Sequence, residues 1–118
     1  MSRQRNEKRK VRWSPQAAEE LAIRFDYWQK QAPRTGARLL RELETTLELL
    51  TEFPGLGSRV GAASLELRQV LADELRVVYR LRGEEAIVIV SVRHASERPL
   101  SPDELIKFLD NGKESTDA

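Results

Sequence analysis

The sequence predicts an α+β fold: a four-stranded, mainly antiparallel sheet with an N-terminal helical hairpin packed on one face. The element order is β-α-α-β-β-β plus a short C-terminal helix. Three observations predict it. Leu40, Leu43, Leu47 and Leu50 recur at three- and four-residue steps, the spacing of one face of a helix. A second stripe, Ala18, Leu21, Ala22, Phe25 and Trp28, precedes it and is parted from it by Pro33. Downstream, Leu65 to His94 reads L-E-L-R-Q-V-L, L-R-V-V-Y-R-L-R and A-I-V-I-V-S-V-R-H. These are three runs rich in β-branched residues, separated by turn residues.

Residues 1–10 are polar and basic without periodicity and read as a mobile basic arm. Val11–Trp13 reads as a short first strand. Ser14-Pro15 is a helix start, with the hydroxyl as cap and proline at the first helical position. That helix stops at Ala32-Pro33, because proline disfavours helix in the residue before it. A second helix restarts near Thr35 and ends at Phe53-Pro54-Gly55. So short a link makes the two an antiparallel hairpin, the leucine stripe against Leu21, Phe25 and Trp28. Gly55–Ala63 reads as a loop. Its P-G-L-G is no phosphate loop, since no Lys-Ser/Thr follows it and a helix precedes it.

The three strands are split at Ala72-Asp73-Glu74 and at Arg82-Gly83-Glu84-Glu85, both short enough for hairpin turns. Alternation puts Arg76, Val78 and Arg80 on one face and Leu75, Val77, Tyr79 and Leu81 on the other. The last strand has two apolar sets, Ile87/Ile89 and Val88/Val90/Val92, as a central strand should. Ser101-Pro102-Asp103-Glu104 repeats the helix-start signature, and Leu105, Phe108 and Leu109 give that helix one sticky side. The expected organisation is therefore arm 1–10, domain 11–100, and a short helix with a frayed acidic tail over 101–118.

Composition bounds the function. The 118 residues suit one domain, and 40% hydrophobic with 33% charged residues argues against wholesale disorder. The net charge of +1 leaves no bulk polycation for nucleic acid. Charge is nonetheless segregated: Arg3, Arg5, Lys8, Arg9, Lys10 and Arg12 crowd the start, and acids dominate after Ser101. The absence of cysteine excludes disulfides and thiolate chemistry, and a single histidine leaves no ligand-like spacing for zinc. No cofactor or metal is expected. The basic start lacks the apolar run of a signal peptide, and no run is long enough to span a bilayer, so a cytoplasmic location without membrane attachment is expected.

Arginines around exposed apolar side chains resemble an interface more than a solubilising surface. The expected partner-binding set is Arg68, Arg76, Val78, Arg80, Ile87, Ile89 and Arg93. His94 reads as a structural hydrogen-bonder. Tyr79, Phe25 and Trp28 read as core, with the Tyr79 hydroxyl at the rim.

Four segments in order resemble the RelE/ParE family of type II toxin–antitoxin toxins: V-R-W-S-P-Q-A, L-L-T-E-F-P-G-L-G-S, L-R-Q-V-L-A-D-E-L-R-V-V-Y-R-L and I-V-I-V-S-V-R-H. The resemblance covers roughly Val11 to Arg98. It implies a cognate antitoxin and a toxin–antitoxin hetero-oligomer. It also implies one of two chemistries. RelE-like members cut mRNA on the ribosome; here that metal-independent endoribonuclease would use Arg68, Arg76, Arg80 and His94. ParE-like members are not nucleases and poison DNA gyrase by protein–protein contact. RNA cleavage needs two proton-transfer groups and cations for the phosphorane charge. After Val92 the chain reads R-H-A-S-E-R-P-L-S, with no tyrosine beyond Tyr79. The ParE-like branch is therefore expected, with no catalytic residue. A third reading keeps the fold as a non-toxic basic adaptor for nucleic acid or protein.

Overall fold

A computed structural model describes residues 8–61 and 66–111. Its elements are β1 (Lys10–Trp13), α1 (Pro15–Gln31), α2 (Pro33–Glu52), β2 (Ser58–Val60), β3 (Leu67–Ala72), β4 (Leu75–Arg82), β5 (Ala86–His94) and α3 (Pro102–Asn111). The α+β class and the element order are those expected, but the sheet has five strands, not four, in the order β1-β5-β4-β3-β2. The added strand, β2, lies in the stretch expected to be loop. Its three residues pair with Val60 opposite Leu67 and Ser58 opposite Gln69, too short a run to show alternation. β1 runs parallel to β5 and every other pairing is antiparallel.

Ser14 explains how the chain leaves the sheet for the helix. Its amide bonds Ile89 O, its Oγ donates to Val90 O at 3.0 Å, and the same Oγ accepts from the Ala17 amide at 3.0 Å. One residue thus caps α1 and pins it to the central strand. A single residue, Ala32, separates α1 from α2.

The hairpin covers one face of the sheet. Leu39, Leu43 and Leu50 of α2 and Ala17 and Trp28 of α1 pack on Leu75, Val77, Tyr79, Ile87, Ile89 and Val92, with Leu21 and Leu47 half-buried beside them. The buried stripe of α1 is therefore Ala17–Leu21–Trp28. Phe25, expected in the core, is 40% exposed, and Ala18 and Ala22 are exposed. A stripe drawn through Phe25 turns the helix too far, because the close approach is set by Gly36 lying against Trp28.

β5 carries a bulge. Val78 faces Ser91 and Tyr79 faces Ile89, which leaves Val90 as the extra residue. Beyond it the alternation reverses, so Val92 joins the hairpin face, away from Val90.

The opposite face is not open. Leu105 of α3, 1% exposed, packs on Leu67, Val78 and Val90, flanked by Val60, Leu100 and Phe108. The expected short helix exists, and it is a strap across the arginine-bearing face. Ser101 and Glu104 form a capping box, Glu104 accepting from the Ser101 amide at 2.8 Å and the Glu104 amide reaching Ser101 Oγ at 3.2 Å. Arg98 grips the same carboxylate at 3.0 and 3.1 Å.

The expected arm is docked where it is described. Lys8 pairs with Glu48 and Glu52 of α2, the Arg9 amide bonds Thr51 O, and Lys10 opens β1. Residues 1–7, and the tail from Gly112, lie outside the described residues. Among the described residues no helix is long and apolar enough to cross a membrane.

Candidate functional site

Strand register decides which expected site residues share a face. Arg76 lies opposite Arg93 and Arg80 opposite Val88, with Val78 between them on the α3 side. Like charges directly across two strands repel, so this pair of guanidiniums is a costly local feature. Arg76 reaches only Gln69 Oε1 at 3.4 Å and Ala95 O at 3.3 Å. Arg93 meets Glu97 at 3.7 Å. The Nε atoms of both are buried without a hydrogen-bond partner. A small cavity of about 120 Å³ lies between Arg76, Ser91, Arg93 and the strap residues Leu100 and Leu105.

The other expected members sit elsewhere. Arg68 lies opposite Tyr79, on the hairpin face, and its Nη1 donates to Gly57 O at 2.7 Å. It holds the loop between α2 and β2. Tyr79 completes that fastening: its hydroxyl donates to Pro54 O at 2.7 Å and accepts from the Gly57 amide at 2.9 Å. That hydroxyl was expected at the rim, yet Tyr79 is fully buried, and burial pushes its pKa up. Ile87 and Ile89 are both 0% exposed under the hairpin; they are core residues and offer no surface. Val78, at 5% exposed, is covered by α3.

His94 lies opposite Leu75, on the hairpin side. Its Nδ1 is 2.7 Å from Ser96 Oγ and accepts from the Ser96 amide at 3.0 Å, and its Nε2 is 3.2 Å from Glu74. An acceptor Nδ1 leaves the proton on Nε2, facing the carboxylate. The His94 contact, with Arg38 beyond it, holds the Glu74 carboxyl below the usual range. The four residues of the nuclease set are thus divided between the two faces of the sheet: Arg76 and Arg80 on one, Arg68 and His94 on the other.

A larger feature escaped the sequence reading. A groove of about 730 Å³ opens between α1 and the ends of β4 and β5. Trp28 and Leu39 form its floor, and Ile23 and Tyr27, 64% and 60% exposed, form its apolar rim. The opposite wall is polar. Glu97 there accepts from the His94 amide at 2.8 Å and pairs with Arg24. Burial pushes the Glu97 carboxyl up, but the His94 amide, Arg24 and Arg93 outweigh it and hold it below the usual range. Where β1 has ended, Glu20 of α1 takes the free β5 edge, accepting from the Val92 amide at 2.8 Å and Ser91 Oγ at 3.0 Å. The available signal was Ile23 and Tyr27 themselves, two large apolar residues one turn apart and off the core stripe. Among the described residues no three His, Asp or Glu side chains gather as a metal site.

The layered sheet with its N-terminal hairpin is the fold of the RelE/ParE toxins. The model of the ParE toxin of the type II toxin–antitoxin system, parDE, matches residues 11–99, and the chain belongs to that family. It is similar in fold to a chain of the chromosomal ParDE system from P. aeruginosa, with a TM-score of 0.59 at 14% identity, covering 75% of this chain and 98% of that one. It is likewise similar to a chain of the toxin–antitoxin complex RelBE2 from Mycobacterium tuberculosis, with a TM-score of 0.53 at 22% identity, covering 75% and 99%. No curated protein sequence matches the chain.

Proposed function

We propose that this toxin stalls DNA gyrase by surface contact, without chemistry of its own, and is neutralised by a cognate antitoxin in a hetero-oligomer. The observation that carries the first half is the division of Arg76 and Arg80 from His94 by the thickness of the sheet. A nuclease must bring cations and proton-transfer groups to one phosphate. His94, the one histidine, is instead tied to Ser96 and Glu74. The antitoxin is supported by the ParDE and RelBE2 complexes that share the fold. Arg76, Arg80 and Arg93 are the residues of the expected binding set still placed to meet a partner's acids. Gyrase would be met in the cytoplasm.

The test sets purified protein beside gyrase with supercoiled DNA, and beside translating ribosomes. The expected result is loss of gyrase activity with mRNA intact, unchanged in His94→Ala. Codon-phased mRNA cuts abolished by His94→Ala would install the ribosome-dependent endoribonuclease instead. Silence in both assays would favour the adaptor.

A further inference from the structure

We infer that the α3 side of the sheet carries a binding patch for the phosphate backbone of a nucleic-acid duplex, built from Lys10, Arg12, Arg80 and Arg82. The inference goes beyond the gyrase reading and is independent of it.

Strand register brings these four cations together. Lys10 and Arg82 flank Ala86 from β1 and β4, and Arg12 and Arg80 flank Val88 in the same way. All four share the α3 side, because the residues that alternate with them, Val11, Trp13 and Leu81, pack on the hairpin side. Side chains two apart on a strand stand about 7 Å from one another, and strands on either side of a third lie about 10 Å apart. The four positive groups thus form a rectangle no wider than about a Debye length, so their potentials add. A net charge of +1 hides this concentration, because it forms only where the first strand is laid beside the last.

The surroundings select the partner. Lys10 and Arg82 are exposed, and Arg12 and Arg80 are half-buried. Between them Ala86 and Val88 are 4% and 0% exposed, so the patch offers no apolar anchor of the kind that dominates protein–protein contacts. Nor do the four residues bring a ring on which an unpaired base would stack, since Trp13 turns to the hairpin side. The partner must be held by charge alone. A duplex, with its bases stacked inside and a regular row of phosphates outside, meets that demand. Three of the four cations are guanidiniums, whose planar forks suit phosphate oxygens. Glu84 and Glu85, exposed in the turn after Arg82, close the patch at that end. No base edge is read, so no sequence preference is expected.

The test is fluorescence anisotropy of a short labelled DNA duplex of mixed sequence, titrated with the full-length chain. Four phosphate contacts give a slope of about −3.6 in log affinity against log salt, a loss of roughly a hundredfold between about 50 and 200 mM salt. Lys10→Gln with Arg82→Gln should halve that slope and leave a loss of about tenfold. Arg34→Gln with Arg41→Gln removes the same charge from exposed positions on α2 and should leave the slope as it was. Circular dichroism checks that both variants fold. Equal losses in the two variants would reduce the effect to net charge and overturn the patch. So would a duplex that stays free at the lowest salt. Polyglutamate bound more tightly than the duplex, and released in the Lys10/Arg82 variant, would give the patch to an acidic protein and overturn the inference. A single strand preferred to its own duplex would do the same. The gyrase assay is read separately, so either reading can fail while the other stands.

Discussion

Gly36 is where α1 and α2 touch. A Cβ there would fall 2.5 Å from Trp28 Cβ, closer than packed carbons allow. Alanine favours a helix interior over glycine by about 1 kcal/mol, but here overpacking wins. Gly36→Ala should destabilise the domain by about 1–3 kcal/mol in a urea titration. Gly55, with nothing within 4 Å of its would-be Cβ, is the control and should tolerate alanine. Glu104 offers a second single-residue test. Arg98, the capping amide and the Ser101 hydroxyl hold its carboxyl down to about 2, below its ordinary 4.5. The folded value is depressed, so the clasp is present at neutral pH and is lost only as pH falls through about 2. A carboxyl titration followed by NMR should show that midpoint, and Arg98→Ala should move it back up towards 4.5.

The strap α3 hangs on one fully buried side chain, Leu105. Leu105→Ala should therefore act locally. Amide exchange should rise across α3 and over Val78 and Val90, while protection of Leu43 and Val77 in the hairpin core stays unchanged. Ser14→Ala removes both a helix cap and a tie to Val90 O, and should cost about 0.5–2 kcal/mol in the same urea titration. Much of this architecture was legible. Two-residue alternation placed Arg76, Val78 and Arg80 opposite Leu75, Val77 and Tyr79, because period 2 survives along an unbroken strand. Arg68 was expected in one binding set with Arg76 and Arg80, and its true face is legible only through the turn: pairing Ala72 with Leu75 across Asp73-Glu74 fixes Arg68 opposite Tyr79. The bulge at Val90 was not, since an extra residue in an all-apolar run leaves no mark in composition. Nor was the docking of α3, whose apolar face names no receiving surface.

For the molecule as a whole, acid should be the weak direction. Glu74 and Glu97 both have carboxyls held below the usual range, by His94 and Arg38 in one case and by the His94 amide, Arg24 and Arg93 in the other. Depressed folded values mean stability that is present above the unfolded values and drains away as pH falls below about 4.5. Urea midpoints should be flat from neutrality to about pH 5 and then decline. Partner binding should show the same electrostatics from outside. Arg76→Ala with Arg80→Ala should weaken the antitoxin complex most at low ionic strength, with the difference narrowing as salt screens it, in a calorimetric titration series.

The sheet order has a consequence for how the toxin is made. β5 is the last strand to be synthesised, yet it lies between β1 and β4. Lys10 waits for Ala86, and Val77 waits for Val92. A nascent chain that stops at Glu85 has its hairpin, β1 and the β2–β3–β4 ladder, but not the strand that joins β1 to that ladder. Such pairings, remote in sequence, come late in folding. Premature termination before residue 86 should therefore yield a protease-sensitive fragment that lacks the central strand.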